Sequence, residues 1–538
     1  MVTLFVSPIT NIDPINVPKL MALLIVAMAV LGLLLSKPSE IVKQNKTLAI
    51  LIFLFIGFFF VSLLISDAPM NQQIFGAYGR NTGFLAYFAF SILIIAASNF
   101  TKTKMHSKLS LAVLITFSTN TIFSLLQYFG IDPFDWDKPY SPITGTLGNP
   151  NFVSAFLGMG IGFALAMAVS SKIKTNYRIW ASFISLLALF VIIRSNSIQG
   201  LIVVMISISI IVFFLIKSRL NKPNLNLIYL GVLIIGGLIS ILGMLQRGPL
   251  ASVLYKPSVT YRGDYWRAGL GMIQDNPFFG VGLDSYGDWY RKYRSIEAII
   301  RRGPTAVTDS AHNVYLDIAT TAGSLALLMY LGVLTLGMRA AWKISKMHKS
   351  YDPIFVAIFV MWVGYLAQAF ISINNLALGI WGWVLPAILI AMEKQKTLEV
   401  EGKNYPTSFK THQRIDFSSM FMSSGLIIGA IVGYFPMNAD INFKHALLSG
   451  NSEKIIEAVY KWPTSTNRYL YSMQVYSDNK LEEIAINIGR DALKENPRSF
   501  NAWLFLYNSE KIKPSEKAEI LKTLKELDPN NPDLTKLG

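Results

Sequence analysis

The 538-residue chain contains no cysteine, which excludes disulfides, thiolate metal sites and thiol nucleophiles. Charge is scarce as well: 15% of residues are Asp, Glu, Lys or Arg against 52% hydrophobic, a balance foreign to ordinary soluble enzymes. Acidic residues are the scarcer sign, 32 against 48 basic ones, leaving a formal charge of +16. The excess does not indicate nucleic acid, because the basic residues sit in short clusters between apolar runs rather than along one polar face. Also missing are paired zinc histidines, a Walker-type phosphate loop and a Gly-x-Ser-x-Gly elbow, so the familiar signatures of metalloproteases, P-loop enzymes and α/β-hydrolases are absent.

What the sequence has in abundance is long apolar runs. A helix needs about 20 apolar residues to cross a hydrocarbon core while satisfying its own backbone. Windows of that kind fall at 18–36, 47–65, 83–99, 109–129, 151–170, 179–194, 200–217, 227–246, 314–338, 354–373, 375–392 and 418–435. The first has neither a basic leader nor a small-residue cleavage site and reads as a retained helix. The expected fold is therefore all-α: a polytopic membrane protein of about 12 transmembrane helices, with membrane lipids as partners.

Lys and Arg collect in short cytoplasmic loops. One alternate set of loops holds Lys37, Lys43 and Lys46; Lys102, Lys104 and Lys108; Lys172, Lys174 and Arg178; Lys217, Arg219 and Lys222; Arg339, Lys343, Lys346 and Lys349; and the basic stretch 394–414. The opposite short loops hold only Arg80, Lys138 and Arg194 and are placed outside, with both chain ends. The expected location is the cytoplasmic (inner) membrane, multi-pass, with an extracytoplasmic active face. One outward loop, 247–313, breaks the pattern with Arg247, Lys256, Arg262, Arg267, Arg291, Lys292, Arg294, Arg301 and Arg302. Long loops translocate despite their charge. Its 291–302 portion reads as a solvated or lipid-headgroup-binding stretch, and the remaining cations as candidates for an anion. Trp136, Trp289, Trp381 and Trp383 are expected in the interfacial aromatic belt, and Asn374 and Asn375 in a short outward turn.

After the transmembrane region 1–435, residues 436–538 carry 14 basic and 14 acidic residues with helical periodicity. Helix-ending prolines recur at Pro463, Pro497 and Pro529, intervals of 34 and 32 residues that match a tetratricopeptide-like helical hairpin. An extracytoplasmic helical domain open to a protein partner is expected there.

Topology also sorts the five histidines. His106, His348 and His412 fall in cytoplasmic loops and His445 in the tail. Only His312 stands at an outward membrane boundary, where an imidazole can titrate near neutrality and reach a membrane-bound substrate. Asp317, just inside the ninth window, is placed to orient it.

Several segments carry a family pattern: Arg80-Asn81-Thr82-Gly83; Gly145-Thr146-Leu147-Gly148-Asn149-Pro150-Asn151; Arg262 with Trp266; Asn276-Pro277 with Gly280-Val281-Gly282; and His312-Asn313-x-x-Leu316. In order, spacing and outward placement over residues 70–395 the chain resembles the O-antigen ligase/polymerase superfamily of membrane glycosyltransferases. The resemblance implies transfer of a glycan from a polyprenyl-diphosphate carrier to a hydroxyl on a lipid, glycan or protein acceptor, with no cofactor, nucleotide or metal. It implies His312 and Arg262 as catalytic residues. Arg80, Arg267, Arg194, Gln199, Asn149 and Asn151 become candidate diphosphate or substrate contacts. Arginine suits that role because its fork is planar and permanently charged. One departure stands out: where the family carries arginine in a Ser-Arg-Gly turn, this chain reads Ser195-Asn196-Ser197-Ile198-Gln199-Gly200. Two other readings stay open, a transporter or flippase of lipid-linked saccharides and an inactive scaffold, although the spans hold few of the ionisable residues that transporters place at the midplane.

Overall fold

The computed structural model describes residues 1–36, 45–100, 103–132, 134, 141–220, 222–347, 350–401 and 417–537. Trp136, His348, His412, Lys37, Lys43, Lys102, Lys138, Lys349 and most of the basic stretch 394–414 lie outside them. Within them the chain forms helices and no strands. In chain order these are α1 Asn16–Leu35, α2 Lys46–Ile65, α3 Met70–Phe75, α4 Phe84–Ala97, α5 Thr103–Tyr128, α6 Pro150–Ala168, α7 Thr175–Arg194, α8 Ile198–Leu220 and α9 Pro223–Met244. The long loop contains α10 Ala251–Leu254, α11 Pro257–Asp275, α12 Tyr286–Tyr293 and α13 Ile296–Arg302. Then come α14 Val314–Ala322, α15 Ser324–Met347, α16 Pro353–Ala369, α17 Leu376–Val400 and α18 Ser418–Ser449. The tail adds α19 Ser452–Val459, α20 Thr466–Asp478, α21 Glu482–Glu495, α22 Phe500–Asn508, α23 Pro514–Leu527 and α24 Pro532–Thr535.

Ten helices among the described residues are long and apolar enough to cross a membrane, and the shorter apolar α4 and α16 fill the two remaining windows. The protein is a multi-pass helical membrane protein. The ninth window departs from expectation, being two helices rather than one. Gly323, at φ +89°, turns the chain between α14 and α15, and a side chain there would strike the Phe278 carbonyl. The first and last membrane helices are joined through small residues. Gly425, Gly429 and Gly433 of α18 lie against the α1 backbone, and a Cβ on Gly429 would stand 2.5 Å from the Leu24 carbonyl oxygen. At the other extreme, α9 presents Leu227, Ile234 and Leu238 outward at the bundle's edge.

Trp383 does not join an aromatic belt. It is fully buried in the bundle core, stacked on Phe90 at 6.1 Å and 5.3 Å from the Phe55 ring. Trp289 lies in α12, with the Arg498 guanidinium 3.5 Å over its ring.

The two sets of loops occupy opposite ends of the bundle. At one end Lys172 reaches the Tyr351 carbonyl, Lys217 the Ser345 carbonyl and Lys396 the Asp352 carboxylate. At the other meet the N-terminal segment, the 76–82 turn, the 143–151 loop, the long loop and the tail. Asn16 there donates to the Gly79 carbonyl, Thr146 to the Thr3 carbonyl, and Asn11 to Asp440. The division expected at 435/436 falls inside α18, which runs on to Ser449 and contributes Phe443 and Ala446 to the tail's own core. In that core α20 packs on α21 and α22 on α23, with Pro463, Pro497 and Pro529 in the connections.

Candidate functional site

The long loop is held to the bundle at its motif residues. Asn276 ends α11, and the Gly280-Val281-Gly282 turn then lies along α14, the amides of Val281 and Gly282 donating to the carbonyls of Thr320 and Thr321 at 2.8 and 3.2 Å. Gly280 (φ +70°) and Gly282 (φ +107°) permit that approach, since the φ values themselves disfavour side chains. Next comes Asp284, which binds the 76–82 turn. It accepts from the amides of Ala77 and Thr82 and pairs with Arg80 at 3.1 Å.

His312 closes this loop. Its backbone is left-handed at φ +52°, uncommon for a residue with a side chain. Three bonds enforce it: the Ala311 amide donates to Asp317 at 2.8 Å, the His312 amide to Ser310 Oγ at 3.2 Å, and Asn313 caps α14 by accepting from the Leu316 amide at 3.0 Å. Asp317 thus fixes the backbone before His312 rather than its ring. The partly buried imidazole instead faces Tyr265 of α11, with ring centroids 5.2 Å apart.

The electrostatics around that ring are cationic. Burial lowers the His312 pKa to about 4, and the guanidiniums of Arg262, Arg80 and Arg302 push the same way, opposed by Asp309. The imidazole is therefore neutral through the neutral pH range. Arg262 donates Nε–H to the Ile371 carbonyl at 2.8 Å and Nη1–H to the Ser258 carbonyl at 3.1 Å. Arg302 donates to the Tyr265 hydroxyl and lies over the rings of Tyr261 and Tyr265, 4.9 and 5.4 Å from their centroids. Among the described residues no carboxylate pairs with either. The other four loop arginines between 262 and 302 do have carboxylates. Arg267 and Arg301 share Asp264 at 3.7 and 3.3 Å, and Arg291 and Arg294 share Asp528 of the tail at 3.1 and 2.5 Å.

The candidates named from the sequence thus separate. His312, Arg262 and Arg80 are gathered together, with Arg80 buried, paired to Asp284 and donating to the Asp309 carbonyl at 2.5 Å. Arg267 is 62% exposed and turned toward Asp264. Arg194 ends α7 exposed, 4.9 Å over the Tyr128 ring. Asn149 caps α6 by accepting from the Asn151 amide, and Asn151 accepts from Ser197 at 2.8 Å. Gln199 is buried and donates to Gln368 at 3.4 Å, three residues before the Ile371 that holds Arg262. The stretch 291–302, expected to be solvated or to bind headgroups, is neither as a whole: Arg294 is 1% exposed and belongs to the contact with the tail. Sequence reasoning did not single out Arg302 and Tyr265, which the structure places beside His312. The signal was present, since Tyr261 and Tyr265 repeat at a helical interval and a guanidinium can stack on such a pair.

Fold and site together define a multi-pass membrane protein with a histidine and two uncompensated arginines on one face. Residues 183–331 match the family model described as O-Antigen ligase, which supports this chain's place in the O-antigen ligase superfamily and, at a general level, glycan transfer of that kind. The matched segment includes Arg194, Gln199, Arg262, Arg267 and His312 and leaves out Arg80, Asn149, Asn151 and the tail. No curated protein matches the chain.

Proposed function

We propose that the protein transfers a glycan from a polyprenyl-diphosphate carrier to an acceptor hydroxyl on a lipid, glycan or protein. The reaction takes place at the extracytoplasmic face of the cytoplasmic membrane and uses neither metal nor nucleotide. The observation that carries this reading is the pair of carboxylate-free guanidiniums, Arg262 and Arg302, beside a neutral His312. In the proposed step the acceptor oxygen forms a bond to the anomeric carbon as the bond from that carbon to the diphosphate oxygen breaks. The bonding pair leaves on the lipid diphosphate, and the acceptor's proton passes to His312. Fixed guanidiniums favour the charge that grows on the leaving diphosphate. That same charge offsets the cations depressing the imidazole, so donor binding strengthens the base when it is needed. Gln199 supplies an uncharged amide where the family carries arginine, and Arg302 provides the second cation. The tail is a tetratricopeptide-like extracytoplasmic domain in this reading.

Reconstitution with lipid-linked oligosaccharide and candidate acceptors tests the proposal. His312→Gln lowers transfer by about 10²–10⁴-fold while leaving thermal stability and donor binding intact. Because burial and the neighbouring cations lower the His312 pKa to about 4, kcat/KM stays level from pH 8 to pH 5 and falls below that. Undiminished transfer by the variant removes the base, and lipid translocation without transfer replaces the reading with a transporter.

A further inference from the structure

Between the bundle's loop face and the tail lies a cavity of about 300 Å³, bounded by the 76–81 turn, Asp284, Asp288 and Asp309 on one side and by residues 463–468 and 495–501 on the other. We infer that this cavity is a saccharide-binding site, shaped for one or two uncharged sugar rings and separated from His312 by the Asp284–Arg80–Asp309 wall. The identification of the ligand as a saccharide rests on the glycan-transfer reading.

Three features select that ligand class. Size comes first: the volume is at the lower end of the range for small-ligand pockets and admits a sugar ring but no folded partner. Charge comes second. Asp284, Asp288, Asp309, Asp440 and Glu495 contribute carboxylates, while Arg291, Arg468 and Arg498 contribute guanidiniums that are largely engaged within the protein. Most of the carboxylates are engaged as well, Asp284 by Arg80, Asp288 by Gln72 and Asn496, Asp440 by Asn11 and Tyr78, so with most charge of both signs spent within the protein the wall suits neutral hydroxyls, which both donate and accept. Unspent hydrogen-bonding capacity comes third. Asn81 Oδ1, Thr466 Oγ1 and Arg498 Nη2 all belong to lining residues and are buried without a partner. One accepts, one does both and one donates. Buried polar groups in folded proteins are ordinarily satisfied, by bound water as well as by protein groups, so these three atoms beside one cavity are donors and acceptors that a polar ligand can engage after small side-chain rotations.

The position fits a distal subsite for the chemistry proposed for His312. Asp284 and Asp309 line the cavity and also contact Arg80, so a sugar held there lies across that wall from the histidine and rests against the tail. A C-terminal domain in this role extends the substrate site as well as closing the loop face.

Two variants of the full-length protein in detergent test the inference. Thr466→Val removes one orphan hydroxyl at nearly constant volume, and Asn501→Trp fills the cavity from α22. Saturation-transfer NMR with neutral tetrasaccharides built from hexoses or N-acetylhexosamines shows binding to the parent protein. Binding is weakened roughly five- to tenfold by Thr466→Val, as for loss of one hydrogen bond, and abolished by Asn501→Trp. Thermal stability of Thr466→Val is unchanged or higher. In transfer assays both variants raise KM and leave kcat in place; a rise confined to the donor's KM assigns the site to the donor glycan, and one confined to the acceptor's KM assigns it to the acceptor. Saccharide binding lost in the variants supports the cavity even where the parent transfers no glycan, which would instead sink the function proposed above. A parent that transfers glycan yet binds no tetrasaccharide, or variants that bind and transfer normally, overturn the inference and leave a water-filled seam.

Discussion

Two pairs of arginines in the same loop have opposite fates. Arg291 and Arg294 meet Asp528 of the tail, with Arg294 bonded through both Nε and Nη2 and also to the carbonyls of Pro304 and Ala306. Arg262 and Arg302 meet backbone carbonyls, a phenol and aromatic faces, and no carboxylate among the described residues. The first pair has its charge partly offset by that one carboxylate and serves to fasten two parts of the molecule. The second retains its positive field beside His312 and is suited to an incoming anion. Residue type and loop membership are identical, so the difference lies in which counter-charge the fold delivers.

Substitutions that treat the pairs differently test this contrast. The largest effect is expected from Asp528→Ala, which leaves Arg294 buried without a carboxylate. Docking of the tail should weaken by about 3–5 kcal/mol, seen as faster proteolysis of the tail and a lower melting temperature. Turnover per folded molecule should change much less. Arg262→Ala reverses that pattern, cutting kcat by roughly 10²-fold or more with little change in melting. Arg262→Lys should recover only a small part, because an ammonium cannot reproduce the fork. If Arg262→Ala instead destabilises the fold as Asp528→Ala does, the distinction between the pairs fails. The smallest effect belongs to Arg267→Ala. That side chain is 62% exposed and 3.7 Å from a carboxylate already held by Arg301, so stability should shift by no more than about 0.5 kcal/mol and transfer by less than about twofold. A large loss of transfer there would return Arg267 to the site.

Much of this was legible in the chain. The apolar windows correspond to the helices one for one except the ninth, because a 20-residue apolar run leaves the backbone no alternative to a helix in lipid. The break at Gly323 escaped notice because hydropathy continues through it, while the reason for the break, the Phe278 carbonyl, lies 45 residues upstream. His312 stood out as a candidate because the expected topology set the other histidines apart, and the structure places Tyr265 against its ring. Trp383 was misread for the opposite reason: sequence placed it near a boundary, and only packing against Phe55, Phe90 and Tyr330 shows it to be core.

The sequence by itself determined the helices, the segregation of basic loops to one end, the long charged loop and the histidine that closes it. These follow from local hydropathy and from charge counted along the chain. Tertiary structure alone decided which arginines are spent and which are free. The carboxylate that neutralises Arg294 is 234 residues away and the one that neutralises Arg80 lies in a different loop. Ion pairing depends on distance in space, which no local pattern encodes.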